Sequence, residues 1–168
     1  VTVRPVVRLP DAVLKKRARE LGQAGDAELI ADLIETMRAS PACVGLAAPQ
    51  IGVARRAIVV DVSAHPKTDV SHGLIVLTDP VLTRQEGRAI GREGCMSVPD
   101  FTANVARSTS VIVTGRGAEG EDVAIETSGF EARALQHEID HLDGLLILDR
   151  VASLATDVFR RKVYKPPG

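Results

Sequence analysis

Tryptophan is absent from this 168-residue sequence, and its aromatic residues amount to three Phe and one Tyr. A core must therefore be assembled from Val, Ile, Leu and Ala, within an apolar content of 45%. The two cysteines, Cys43 and Cys95, are too few for a disulfide framework, so free thiols in a reducing compartment are expected. No apolar run approaches the ~18 residues that cross a bilayer; the longest are strand-sized, such as Ala57–Val60. The first residues carry Pro5, Pro10 and Asp11 without a long apolar segment, which predicts no secretory signal and no membrane partner. Charge of one sign is lacking as well. Lys and Arg number 21 against 22 Asp and Glu, a net charge of −1, so a dedicated nucleic-acid site is not expected. A glycine-rich phosphate loop and strand–helix–strand alternation are both missing, which disfavours a nucleotide enzyme.

What is present fits one domain spanning residues 1–168, with enough aliphatic content to exclude disorder. The pattern predicts a short polar helix from Asp11 to about Leu21 and a stronger one from about Asp26 to Ala39. In the latter, Leu29, Ile30, Leu33, Ile34 and Met37 fall at helical spacing behind a capping Asp26. Val44–Gly52, with Pro49, is not expected to be helical. Strands are predicted at Ala57–Val62, Leu74–Thr78 with Val81–Leu82, and Asn104–Thr114. A hairpin turn at Arg116–Glu121 leads into Val123–Thr127. A second helix is expected over Phe130 to about Leu142, ended by Gly144 as a left-handed cap. An extended Leu145–Leu148 and a last helix from Ser153 to about Tyr164 complete the chain. The fold class is α+β: mostly antiparallel sheets packed around a central helix, with a C-terminal helix.

The chemistry concentrates in Gln136-His137-Glu138-Ile139-Asp140-His141. His137 and His141 are four residues apart on a predicted helix, so both imidazoles lie on one face and suit a single metal ion, with Glu138 beside them as a general base. A bland alternative, two solvated helix histidines and a surface Glu, needs the motif to have arisen by chance among only four histidines. A metal hydrolase needs a third ligand and an open position. One metallopeptidase pattern would place that ligand six residues after His141, but Ile147 stands there and cannot coordinate. Cys95, in Glu93-Gly94-Cys95-Met96-Ser97, is the upstream candidate; two imidazoles and a thiolate make a site for Zn or Fe(II). A lone Cys is otherwise most often a small buried hydrophobe. A third stretch, Val44-Gly45-Leu46-Ala47-Ala48-Pro49-Gln50, offers sparsely covered backbone open to another chain, or else an ordinary tight turn.

In this order and at these separations, the three stretches resemble the three motifs of the peptide deformylase family: G-x-G-φ-A-A-x-Q, E-G-C-x-S and H-E-x-D-H. The likeness runs from about Arg4 to Tyr164 and resembles the bacterial and organellar type with a helical tail, which implies a bacterial cytoplasmic setting. It implies a hydrolase that removes the formyl group from N-formylmethionine of newly made polypeptides, releasing formate. The metal ligands would be Cys95, His137 and His141, with water in the fourth position. Fe(II) is the implied native ion, with Zn, Ni or Co as substitutes. Glu138 would move the proton, the Gln50 amide and the Met96 backbone N–H would face the developing oxyanion, and Gly45 would pair with the substrate backbone. Leu46, Met96, Phe130, Arg133 and Ala134 are expected to wall the methionine pocket, and Glu93 and Asp140 to orient the imidazoles.

The first motif departs from the pattern in having Cys43 where the family has Gly, which raises a Cys43–Cys95 disulfide as an oxidative hazard. The stretch after the second motif also lacks the arginine that one subtype places near the substrate backbone. The tail carries Arg150, Arg160, Arg161, Lys162 and Lys165 against Asp157, and resembles the basic helix with which some deformylases dock on the ribosome. A monomer is expected. The rival readings are a metallopeptidase cutting internal amide bonds and a non-catalytic relative that binds metal or ribosome.

Overall fold

The computed structural model describes residues 2–161. Among these described residues, eight strands form two antiparallel sheets. The larger has five strands in the order β1 (Gly45–Ala47), β2 (Ala57–Val60), β3 (Ile75–Glu86), β6 (Ser110–Arg116) and β7 (Asp122–Ser128). The smaller has three, in the order β4 (Ala89–Cys95), β5 (Val98–Arg107) and β8 (Val158–Arg160). The two α-helices are α1 (Ala27–Ala39) and α2 (Gly129–Leu142). Among the described residues no helix is long and apolar enough to cross a membrane.

All four residues of β2 are buried because it is covered on both faces. Ile58 and Val60 pack with Leu77, Val113 and the α2 residues Leu135, Ile139 and Leu142. Ala57 and Val59 pack with Leu46 and the α1 residues Leu29, Leu33 and Met37. Alternate side chains on a strand point to opposite faces, so a continuous apolar run is what a strand between two helices requires. A third cluster joins Ala103 and Val105 of β5 to Leu14, Leu146 and Ile147.

Both predicted central helices form. Asp26 caps α1 by accepting from the Leu29 N–H at 3.0 Å. Gly144 follows α2 at φ +74°, and a Cβ there would lie 2.7 Å from the Lys15 backbone, so the left-handed cap and close chain packing both demand glycine.

The strands expected at Ala57–Val62, at Leu74–Thr78 with Val81–Leu82, and after the Arg116–Glu121 turn form as β2, β3 and β7, and other expectations need correction. In place of a helix over Asp11–Leu21 there is a single 3-10 turn, Ala12–Lys15. Beyond it the chain is held extended by neighbours: Ala18 N–H donates to Leu142 O and Arg19 N–H to Ala54 O. Val44–Gly52, expected to be non-helical, holds β1 followed by a 3-10 turn at Ala48–Ile51, and a similar turn at Ile147–Asp149 replaces the extended Leu145–Leu148. The strand expected over Asn104–Thr114 divides at Ser108, because the Gln136 side chain of α2 takes both the Ser108 N–H (3.0 Å) and its carbonyl (2.9 Å). The segments on either side join different sheets. β4 escaped the pattern.

The C-terminal helix is absent from the described residues. Val158–Arg160 instead adds to the free edge of β5, with Thr102 opposite Phe159. The physical reason is the unpaired backbone along that edge, which accepts a strand containing Val158 and Phe159. Ser153 and Asp157 close the preceding turn by donating and accepting between themselves. The rest of the predicted helix, with Lys162 and Lys165, lies outside the described residues. Arg150 of the expected basic surface is also committed elsewhere, to Asp140 at 2.7 and 2.9 Å.

Candidate metal centre and catalytic cleft

Helix α2 and the end of β4 meet at one point. Cys95 closes β4, while His137 and His141 stack one turn apart on α2. The three potential ligand atoms lie within 4.8 Å of one another, with Cys95 Sγ 3.4 Å from His141 Nε2. Two nitrogens and a sulfur converging in a buried spot suit a soft or borderline divalent ion and leave a coordination position open. His141 Nδ1 is buried and has no hydrogen-bond partner among the described residues.

The strand period explains why Glu93 and Cys95 act together: two residues apart on β4, both face α2 and are buried. Glu93 Oε1 lies 2.8 Å from His137 Nδ1, which directs Nε2 toward the ligand cluster. The Arg107 guanidinium grips the same carboxylate through two bonds of 3.0 and 2.9 Å, and Arg133 adds a third at 2.7 Å. Burial alone would raise the Glu93 carboxyl, but the bonds to His137 and Arg107 outweigh it and hold it well below the usual carboxylate range.

Asp140 does not orient an imidazole. It accepts from Arg107 at 2.5 Å and from Arg150, so it acts on His137 only through Arg107 and Glu93. Arg107 itself went unnoticed in the sequence. Its signal was the inward period of β5, in which Ala103, Val105 and Arg107 alternate as buried positions.

Glu138 is buried beside the cluster, and burial pushes its carboxyl up to about 7. Its Oε2 makes no hydrogen bond among the described residues, which leaves it available to a proton-bearing ligand. Gly45 packs directly against it: a Cβ there would lie 2.9 Å from Glu138 Cγ and 3.1 Å from Cδ. Gln50 is fixed by its own chain. The Ala47 N–H donates to Oε1 at 3.0 Å, so the Nε2 group turns toward Cys95 Sγ (3.6 Å) and Ser97 Oγ (3.2 Å). β1 pairs with β2 along one edge only, and as an outer strand presents its other edge to an added chain.

A cleft of about 330 Å³ opens over these groups. Met96, Phe130, Arg133 and Ala134 line it, although the Arg133 guanidinium is turned to Glu93 and to the carbonyls of Val105 and Ala89. Leu46 does not line it: the side chain is fully buried in the α1 core, so only its backbone is near the site. Cys43 borders the cleft with its thiol donating to Gly45 O at 3.1 Å. Burial, with Glu138 nearby, pushes that thiol up to about 12, so it is a poor nucleophile, and both cysteines are free.

Nothing in the sequence pattern pointed to His65 and Lys67, which reach the cleft from the segment after β2. His65 stacks on Phe130 with centroids 4.3 Å apart. Buried Glu131 anchors that segment by accepting from the His72 N–H at 2.7 Å.

Residues 3–157 match the family model described as polypeptide deformylase. A peptide deformylase from Thermodesulfovibrio yellowstonii is 45% identical over 159 residues, covering 94% of each chain. Among solved structures, a peptide deformylase from Ehrlichia chaffeensis superposes with a TM-score of 0.83 at 29% identity, covering 92% of this chain and 90% of the other. A Met-Ala-Ser-bound class I type b peptide deformylase from Acinetobacter baumannii gives 0.79 at 31% identity, covering 89% and 99%.

Proposed function

From the membership of this chain in the polypeptide deformylase family, given by the match over residues 3–157 and 45% identity to a relative, we infer the part that each residue of its cleft plays. The protein is a hydrolase that removes the N-formyl group from formylmethionyl ends of newly made polypeptides. One metal ion serves the family's chemistry, and the Cys95, His137 and His141 donors suit it. We propose Fe(II) as the resident ion, as the resemblance to the family implies, with Zn, Ni or Co able to replace it; the thiolate and two imidazoles suit Zn as well as Fe(II). When bound, such an ion supplies Lewis acidity and brings the pKa of water from 15.7 to about 7.

The remaining steps belong to the chain itself. The substrate enters extended, adding to the free edge of β1 at Gly45, with its methionine side chain directed toward Phe130, Ala134 and Met96. Glu138 accepts the proton of the attacking water and passes it to the leaving amine, a transfer that suits a carboxyl with a pKa near the working pH. The Gln50 Nε2–H and the Met96 N–H stabilise the oxyanion; loss of one such donor typically costs ~2.7–4 kcal/mol in the transition state. Glu93, gripped by Arg107 and Arg133, keeps His137 in the tautomer that ligates through Nε2. The position at which a metallopeptidase would carry its third histidine is Ile147, buried in the apolar core, which speaks against cleavage of internal amide bonds. We treat the chain as a single catalytic unit, since β4 of one sheet and α2 against the other complete one centre.

The observation that carries this assignment is the convergence of Cys95, His137 and His141 beside the buried Glu138 carboxylate, whose Oε2 has no hydrogen-bond partner among the described residues. The test is formate release from formyl-Met-Ala-Ser by anaerobically purified protein, with metal content measured on the same sample. Glu138→Ala is expected to retain one metal per chain and lose turnover by at least about a hundredfold. Equal turnover in that variant would overturn the role of Glu138.

A further inference from the structure

Four cations border the cleft; Arg133 is paired with Glu93, and among the described residues the other three, Lys67, Arg92 and Arg161, form no ion pair. The two carboxylates of the cleft do not compensate them. Glu93 is buried and already shared between Arg107 and Arg133, and Glu138 is buried beside the ligand cluster. A chain with a net charge of −1 thus presents a locally positive rim at the one place where its substrate enters.

The C-terminal strand builds this rim. β8 lays Phe159 opposite Thr102, and the Arg92 guanidinium lies 3.6 Å over the Phe159 ring while donating to Asn104 Oδ1 at 3.2 Å and Thr102 Oγ1 at 3.4 Å. Directly after β8, the Arg161 N–H donates to Asp100 O at 2.8 Å. Its guanidinium then covers Gly94, where any Cβ would collide with it. Gly94 immediately precedes the ligand Cys95, so Arg161 is held over the entrance rather than out in solvent. Guanidinium groups pre-positioned by stacking and backbone pairing favour a planar carboxylate over other partners.

We propose that Arg161 and Arg92 are specificity-determining residues that bind an acidic side chain in the substrate one or two residues after formylmethionine. The proposal rests on the deformylase assignment and extends it. An extended peptide advances ~3.3 Å per residue, so the residues just past the methionine are the first to leave the enclosed part of the cleft and meet this rim.

The experiment compares kcat/KM for formate release from amidated peptides, so that no terminal carboxylate masks the effect: formyl-Met-Ala-Ser, and versions with Asp or Lys at the second or third position. The expected result is an Asp-over-Lys ratio of about fivefold or more at one of these positions, carried mostly in KM. That ratio is expected to shrink as salt rises, to fall toward one in Arg161→Gln and Arg92→Gln, and to persist in Arg161→Lys. Formate release with equal Asp and Lys ratios, or a ratio unchanged in both Gln variants, overturns the proposal while leaving the deformylase assignment intact. No formate from any peptide counts instead against that assignment.

Discussion

At Gly45 the main chain and the Glu138 carboxylate compete for one space. In the sequence this glycine suggested bare backbone open to another chain or else an ordinary tight turn, and β1 presents such an edge. The structure adds a second demand, since a methyl group would sit 2.9 Å from Glu138 Cγ. The contact is with a side chain, which yields more readily than backbone, so Gly45→Ala is expected to fold and hold its metal while displacing the carboxylate. An error of ~1 Å in such a group costs up to a hundredfold, and a fall in kcat of about tenfold or more at saturating peptide is expected. Unchanged kcat would show that Glu138 keeps its place. The ligand motif His137-Glu138-x-x-His141 was fully legible, because helical spacing alone puts both imidazoles on one face. The grip of Arg107 and Arg133 on Glu93 was not, since it joins β4, β5 and α2 across 14 and 40 residues of chain.

Among the elements, the helices were the most readable: α1 through its periodic apolar face and capping Asp26, α2 through its glycine stop. Its end shows what that stop does. Gly144 must take φ +74° and also pass against the backbone of Lys15, where a Cβ would approach to 2.7 Å. Gly144→Ala is therefore expected to lose about 2–4 kcal/mol of unfolding free energy, the left-handed penalty plus a backbone shift. Gly22→Ala, at φ +76° with nothing within 4 Å, is expected to lose only about 1 kcal/mol. Chemical denaturation of the two variants checks the contrast, and equal losses would refute the packing argument. The elements that were misread, Asp11–Leu21 and the tail from Ser153, are those whose backbone is satisfied by distant partners. Ala18 and Arg19 bond to Leu142 and Ala54, and Val158–Arg160 bonds to β5. Local propensity is a weak prior where such partners exist.

For the molecule as a whole, the proposed metal centre joins the two sheets through α2, so ligation and folding would be linked. A ligand bound at a thousand times its dissociation constant adds about 4.1 kcal/mol, worth roughly 8–16 °C in Tm for a chain of this size. Removal of the ion with a strong chelator is expected to lower Tm on that scale and re-addition to restore it. Cys95→Ser is expected to shrink the difference. A Tm indifferent to chelation would mean that the centre adds nothing to the fold.

Several features were determined by the sequence itself: the aliphatic core, the α+β class, the two central helices with their caps, and the donor set of Cys95, His137 and His141. These depend on period, local capping and donor chemistry, which act over a few residues. Other features were decided only by the tertiary structure. It separated β5 from β6 at Ser108, moved Leu46 into the core, turned Arg133 onto Glu93, and converted the expected tail helix into β8. Each of those outcomes depends on which backbone and side-chain groups are left unpaired by elements far away in the chain, and that information exists only once the chain has folded.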